Sequence, residues 1–203
     1  MQYFFQLPVL EALAVLLAIA YLILVIYQNI WCWYCAGLST SIYVFLFAHA
    51  QLYMESLLNI FYLFMAVYGW TVWKNNQHEL DKMEVQIWPI RIHCLAVFLI
   101  IVLSLTVGYL LEKNTDAIYP YIDSLTTFSA IWATFLVARK VLENWWYWFF
   151  IDCVSVVIYW MRDLHFTSFL FLFYILLIPI GFILWRRSYN DRLPVTGRVY
   201  CND

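Results

Sequence analysis

Residues 144–159 read NWWYWFFIDCVSVVIY, a run that is too apolar for the surface of a water-soluble protein. Five of its residues recur at steps of three or four, a spacing that places them on one face of a helix: Trp145, Trp148, Asp152, Ser155 and Tyr159. An ionisable residue in the middle of a membrane is costly unless it faces a cavity or a partner. We therefore interpret the Asp152 face as the centre of a permeation pathway.

Composition assigns the chain to the integral membrane proteins. Hydrophobic residues make up 66% and charged residues 12% of the 203 residues, against roughly 45–50% apolar residues in soluble domains. No basic surface for nucleic acid is indicated. The five cysteines are scattered and odd in number, so they do not predict a disulfide framework. Cys32 and Cys35 form a C-x-x-C without a second ligand pair, which favours packing over a metal site.

Apolar runs of about the length needed to cross a bilayer predict seven transmembrane helices. They cover residues 9–27, 31–48, 52–73, 91–111, 123–138, 145–161 and 167–185. The polar segments between and around them are an extracytoplasmic N-terminus (1–8), a cytoplasmic loop (74–90), an extracytoplasmic loop (112–122) and a cytoplasmic tail (186–203).

The distribution of Lys and Arg predicts the orientation. With seven spans the termini lie on opposite sides, and placing the tail in the cytoplasm leaves only Lys113 and Arg162, of 11 Lys and Arg residues, outside. The N-terminus is therefore predicted to be outside and the C-terminus inside. A signal peptide begins with positively charged residues, whereas no Lys or Arg precedes Lys74 here. The first apolar run is therefore expected to remain as a transmembrane helix.

Two parts of the chain repeat each other. Asn29, Trp31 and Trp33 in the second span match Asn144, Trp146 and Trp148 in the sixth, and Tyr62, Gly69 and Trp73 match Tyr174, Gly181 and Trp185. The two sets of matches differ in offset by three residues, which predicts one longer loop. The chain then divides into three-helix repeats at 9–73 and 123–185, joined by a linking helix at 91–111. Because the linker is a single helix, an odd number of spans, the two repeats are predicted to run in parallel about an axis along the membrane normal, as in SWEETs. Such carriers bind substrate near the midplane between the repeats.

Several strings carry a resemblance to a known family. They are LLNIFY at 57–62, YGWTVW at 68–73 and ARKVLENW at 138–145, followed by Asp152 and Ser155. From residue 11 to residue 185 the chain resembles the PnuC family of vitamin transporters. The resemblance implies a SWEET-like fold in a bacterial inner membrane and uptake of nicotinamide riboside by facilitated diffusion, with a cytoplasmic kinase that traps the vitamin.

Two departures leave the substrate open between nicotinamide riboside and thiamine, which the related PnuT branch carries. Riboside carriers often have Gln where this chain has Asn59 and Asn where it has Asp152.

Both vitamins contain a flat cationic ring, which gains about 0.5–2 kcal/mol over an indole face. Trp145 and Trp148 are the predicted stacking residues, and Asp152 would balance the ring charge and repel a phosphate. Asn59 would bond a carboxamide, an aminopyrimidine or a hydroxyl. Structural roles in helix packing stay open for both polar residues. The predicted substrate site comprises Asn59, Tyr62, Trp145, Trp148, Asp152, Ser155, Tyr159 and Tyr174.

Other classes of protein fit the sequence less well. An intramembrane enzyme needs paired catalytic groups at one depth, and the chain offers only Asp152 with a Ser or Thr. No cofactor or metal site is predicted, and no nucleotide-binding glycine loop suggests coupling to ATP. A SWEET-type sugar carrier and a seven-helix protein without transport activity remain as alternatives. The sequence leaves a homo-oligomer open.

Overall fold

The computed structural model describes residues 2–49, 53–75, 84–115, 119–161 and 165–191. In three of these ranges the described side chains begin later, at residue 9 in the first, residue 56 in the second and residue 168 in the last. These ranges contain seven helices: α1 (Gln2–Ile26), α2 (Cys32–His49), α3 (Tyr53–Asn75), α4 (Ile90–Asn114), α5 (Pro120–Ala138), α6 (Asn144–Met161) and α7 (His165–Asn190). Within them, β structure is limited to one isolated parallel bridge between Gln86 and Val141. The prediction of an all-α chain with seven helices is confirmed.

Five of the seven helices are long and apolar enough to cross a membrane. Their spanning segments are Val9–Ile26, Ser56–Asn75, Ile90–Asn114, Pro120–Ala138 and Ser168–Asn190. The other two, α2 and α6, have 18 residues each and are rich in aromatic and hydroxyl-bearing side chains. A helix suits such a segment because all its backbone hydrogen bonds are made internally, away from water.

The helices form two compact units, residues 1–84 and 85–203. In the first unit α2 is the central helix and packs against both α1 and α3. In the second unit each helix packs against the next, from α4 through α5 and α6 to α7.

Most helix ends differ from the predicted bounds by one residue or more. α1 begins at Gln2, seven residues before the predicted 9, so Pro8 lies inside the helix. α5 begins at Pro120, three residues before the predicted 123, because proline fits the first turn, where its missing N–H is not needed. α7 continues to Asn190, since Arg187 in its last turn complements the negative end of the helix dipole. Residues 192–203 of the predicted tail lie outside the described residues.

The corners that follow α1 and α5 have the same backbone geometry. Gln28 and Lys140 both adopt a left-handed conformation, with φ of 54° and 50°. In each corner this residue donates its N–H three residues back, to Val25 or Val137, at 2.9 and 3.0 Å. The N–H of the following residue reaches five residues back at 2.9 Å in both corners, which completes a Schellman motif.

A tryptophan packed on a glycine also recurs in the two units. Trp33 lies against Gly69 and makes an edge contact with Trp73 at 5.4 Å and 87°. Trp145 lies against Gly181 and makes the same contact with Trp185 at 5.5 Å and 87°. These pairs, like Gln28 and Lys140, differ in residue number by 112.

This uniform spacing corrects the predicted pairing of Trp33 with Trp148. The structural counterpart of Trp33 is Trp145, so the repeats keep a single register and neither contains a longer loop. A slip of three residues is close to one helical turn and leaves a pattern on nearly the same face, which is why the motif alone misplaced it. The parallel arrangement of the repeats about a membrane-normal axis stays a prediction.

Candidate functional site

The predicted α6 face carries a buried carboxylate. Asp152 is 4% exposed, and Ser155, one turn further along, is also buried. In the part of the chain that the structure describes, neither side chain makes a hydrogen bond or an ion pair. An acid held in a membrane-spanning protein without a partner costs folding free energy, so its retention points to a ligand that compensates it.

The two tryptophans of this face have different surroundings. Trp145 is 2% exposed, with its ring against Gly181 on one side and Trp185 at its edge. Trp148 is half-buried and makes no ring contact with the described residues. This packing favours a structural role for Trp145 over the predicted stacking role, and it leaves Trp148 as the ring available to a ligand.

The predicted tyrosines of the second unit meet through a phenylalanine. Tyr159 of α6 stacks on Phe171 of α7, with centroids 5.2 Å apart and planes at 14°. Phe171 in turn contacts the edge of Tyr174 at 5.8 Å and 78°. Tyr159 and Tyr174 therefore belong to one aromatic cluster that joins α6 to α7.

The remaining two predicted residues lie on α3 in the first unit. Asn59 and Tyr62 are both half-buried. Tyr62 packs beside Phe61 at 5.9 Å and lies close enough to Tyr21 of α1 to interact with it electrostatically. The structure thus divides the predicted set into two residues of the first unit and six of the second.

Two residues of the second unit were not predicted to belong to the site. Phe171 bridges the two tyrosines, and no spacing rule on a single helix indicates a contact between helices. Asn144 is fully buried, donates from Nδ2 to the Val141 carbonyl at 2.6 Å, and has an Oδ1 without a partner among the described residues. The position of Asn144 in an apolar run could have indicated a buried polar group of the site. The pattern was interpreted only as part of the internal repeat.

These groups are suited to binding more than to chemistry. One carboxylate, one hydroxyl and several aromatic rings can hold a cationic, flat and hydroxylated solute. In the described residues no group of three or more His, Cys, Asp or Glu side chains is placed to hold a metal ion.

A family model described as "Nicotinamide mononucleotide transporter" matches residues 8–187, nearly the whole described chain. The chain belongs to the nicotinamide mononucleotide transporter family. Among curated relatives, the nicotinamide riboside transporters PnuC of Escherichia coli (strain K12) and Shigella flexneri are each 23% identical over 180 residues, which cover 76% of this chain and 75% of the relative.

A solved structure of the same kind supports the fold. The crystal structure of the vitamin B3 transporter PnuC superposes with a TM-score of 0.70 at 18% identity, covering 90% of this chain and 82% of that one. Together with the five spanning helices, this likeness confirms a multi-pass integral membrane protein. This member of the nicotinamide mononucleotide transporter family accordingly carries, within that fold, a buried acid that is unpaired among the described residues.

Proposed function

We propose that this protein takes up nicotinamide riboside across a bacterial inner membrane, with its N-terminus outside and its C-terminus in the cytoplasm. The observation that carries the proposal is the buried Asp152 carboxylate, which has no partner among the described residues and lies one turn beyond the half-buried ring of Trp148. The curated relatives named for nicotinamide riboside transport support it.

Charge favours the riboside over the mononucleotide. The nicotinamide ring of both compounds carries a fixed positive charge, which Asp152 would balance. The mononucleotide adds a phosphate of about −1.5 to −2 charges, by analogy with phosphorylated side chains. In a site of low dielectric such a group is repelled by an unpaired carboxylate, so the phosphorylated form is disfavoured.

Trp148 supplies an aromatic surface on which the cationic nicotinamide ring can stack. A pyridinium over an indole face gains about 0.5–2 kcal/mol, and more when water is excluded. Ser155, next on the same face, has a hydroxyl that is not committed to the described part of the chain and can bond a ribose hydroxyl. Tyr159 and Tyr174 complete the proposed set of contacts in the second unit, while Trp145 braces α6 against α7. Ligand contacts of Asn59 and Tyr62 in the first unit stay a prediction.

The transport step is facilitated diffusion, with a cytoplasmic kinase that phosphorylates the riboside and so prevents its return. The chain has no glycine loop for a nucleotide that would power uptake. In liposomes that contain only the purified protein, labelled riboside should equilibrate without a proton or sodium gradient. Accumulation above equilibrium that requires such a gradient would exclude this mechanism.

The substrate itself is tested by titrating the purified protein with nicotinamide riboside, its mononucleotide and thiamine in parallel. We expect the riboside to bind at least tenfold more tightly than the mononucleotide, about 1.4 kcal/mol. Equal affinity for the two would refute the charge argument. Tighter binding of thiamine than of the riboside would replace the substrate while leaving the cationic site in place.

A further inference from the structure

An extended segment before α4 lies on the corner between α5 and α6. Gln86 donates its backbone N–H to the Lys140 carbonyl at 3.0 Å and accepts from the N–H of Leu142 at 2.9 Å. Its side-chain Nε2 donates to the Arg139 carbonyl at 2.8 Å. Val85 is buried beside it. The corner is therefore held by three hydrogen bonds from outside its own helices.

The fourth residue of α4 continues this contact onto α6. His93 is buried, with Nδ1 3.1 Å from the Tyr147 hydroxyl and Nε2 4.0 Å from Glu143 Oε2. Nε2 has no hydrogen-bond partner among the described residues, so it lies near the Glu143 carboxylate without bonding to it, whereas Nδ1 and the Tyr147 hydroxyl share a hydrogen bond whose direction depends on the tautomer. The imidazole therefore faces two groups four residues apart, Glu143 just before α6 and Tyr147 in its first turn.

Among the described residues of the first unit, the equivalent corner has no such hydrogen bonds from an outside segment. It has the same Schellman geometry around Gln28, yet Tyr27 and Trp31 are 70% and 62% exposed. In the repeat register the counterparts of Glu143 and Tyr147 are Trp31 and Cys35, which cannot reproduce these contacts. The corner therefore folds without an imidazole, and the His93 contacts serve something other than forming it.

We propose that His93 is a positioning residue for the substrate site. Tyr147 immediately precedes Trp148, and Asp152 follows one turn later, so the hydrogen bond from α4 to Tyr147 sets the rotation and depth of both ligand-facing groups. A displacement of about 1 Å at a site costs substantial function even when the altered residue is remote. This inference rests on the proposed function of Trp148 and Asp152.

The first test needs no ligand. Hydrogen exchange of the α6 amides should be about tenfold faster at residues 147–152 in His93→Ala than in the wild type, because a local opening of α6 becomes easier. His93→Gln, which keeps one acceptor and one donor, should restore most of the protection. Tyr147→Phe, which removes only the hydroxyl, should reproduce part of the loss, so the test stands even if His93→Ala does not fold.

The matched control is Ser104→Ala. Ser104 lies on the same buried stripe of α4 as His93, and its hydroxyl has no partner among the described residues. Its removal should leave exchange in α6 unchanged. Unaltered α6 exchange in all three test variants, or equal acceleration in Ser104→Ala, would overturn the proposal.

The second test measures nicotinamide riboside affinity in a double-mutant cycle with Trp148→Ala. We expect His93→Ala alone to weaken binding about fivefold and to add little once Trp148 is gone, since neighbours that act through each other are not additive. Full additivity would show that His93 does not act through Trp148 and would overturn the proposal. Failure of the wild type to bind riboside would refute the proposed function instead, and hydrogen exchange alone would then decide the role of His93.

Discussion

The middle helices of the two repeats, α2 and α6, share their tryptophan-on-glycine packing but not their polar chemistry. In the repeat register Ala36 and Thr40 of α2 stand where α6 has Trp148 and Asp152. The Thr40 hydroxyl donates to the Ala36 carbonyl of its own helix at 2.8 Å, whereas Asp152 bonds nothing in the described residues. A middle helix of this fold therefore forms without an acid or an indole at these two positions, which supports the proposed ligand contacts of Trp148 and Asp152.

Substitution of the glycines tests the tryptophan-on-glycine packing that the two repeats share. A methyl group at Gly69 or Gly181 would clash with ring atoms of Trp33 or Trp145. Because overpacking a tight contact costs about 1–3 kcal/mol, Gly69→Ala and Gly181→Ala should each clearly lower the unfolding temperature of the purified protein.

Gly37→Ala is the matched control for both glycine variants. Its added methyl would meet Ala66 and Leu63 at 4.0 Å, an ordinary contact, and alanine is up to about 1 kcal/mol better than glycine in a helix. The variant should be neutral or stabilising. A loss of stability in Gly37→Ala as large as that in Gly181→Ala would contradict the packing argument.

The proposed ligand contact of Trp148, which is absent from the first repeat, is tested by substitution. Trp148→Ala removes the ring that has no counterpart in α2 and should weaken nicotinamide riboside binding about tenfold, or roughly 1–2 kcal/mol. Trp148→Phe should recover much of this affinity. Titration calorimetry measures both variants.

Trp146→Ala controls for a general effect of losing an indole from α6. Trp146 is 61% exposed and contacts Phe182 of α7, away from the Asp152 face. Its loss should leave riboside affinity within twofold of the wild type. An equal drop in Trp146→Ala and Trp148→Ala would mean that α6 is merely destabilised.

The charge difference between the repeats is tested with Asp152→Asn. This variant keeps the shape and removes the charge, so it should bind the cationic riboside more weakly while its affinity for the neutral dihydronicotinamide riboside changes little. The ratio of the two affinities should fall roughly fivefold, about 1 kcal/mol, for a partly screened charge pair.

Thr40→Val is the counterpart control in the first repeat. The Thr40 hydroxyl is bonded within its own helix, so its removal should not alter that ratio. If Asp152→Asn folds normally and the ratio is unchanged, Asp152 has a packing role and does not balance a ligand charge.

The smallest expected effect lies in a contact that both repeats share. Ser56 of α3 donates to the Val44 carbonyl of α2 at 3.0 Å, and Ser168 of α7 donates to the Val156 carbonyl of α6 at 2.9 Å. Ser56→Ala and Ser168→Ala should each cost about 0.6 kcal/mol, the average for interhelical bonds in a membrane protein.

The two serine variants should agree within experimental error in a denaturant titration. Ser41→Ala, which loses only an exposed hydroxyl bonded to its own helix, should have no measurable effect. A cost confined to one of the two interhelical serines would show that the repeats are not equivalent at this contact.

Much of the candidate site could be predicted from the spacing of α6. Steps of three and four place Trp145, Trp148 and Asp152 on one face, and the structure keeps Asp152 buried there. The same spacing could not separate the two tryptophans. Periodicity reports the direction of a side chain, whereas the availability of its ring depends on the residue opposite, which for Trp145 is Gly181, 36 positions further along the chain.

The sequence by itself determined the class of the protein, its seven helices and the acidic face of α6. Hydropathy and helical period depend only on the order of residues within each segment. Only the tertiary structure decided the register of the repeats, the enclosure of Trp145 and the contact of His93 with Tyr147. Each of these depends on which side chains from other helices fill the same space. That is a property of packing, and no pattern within a single helix contains it.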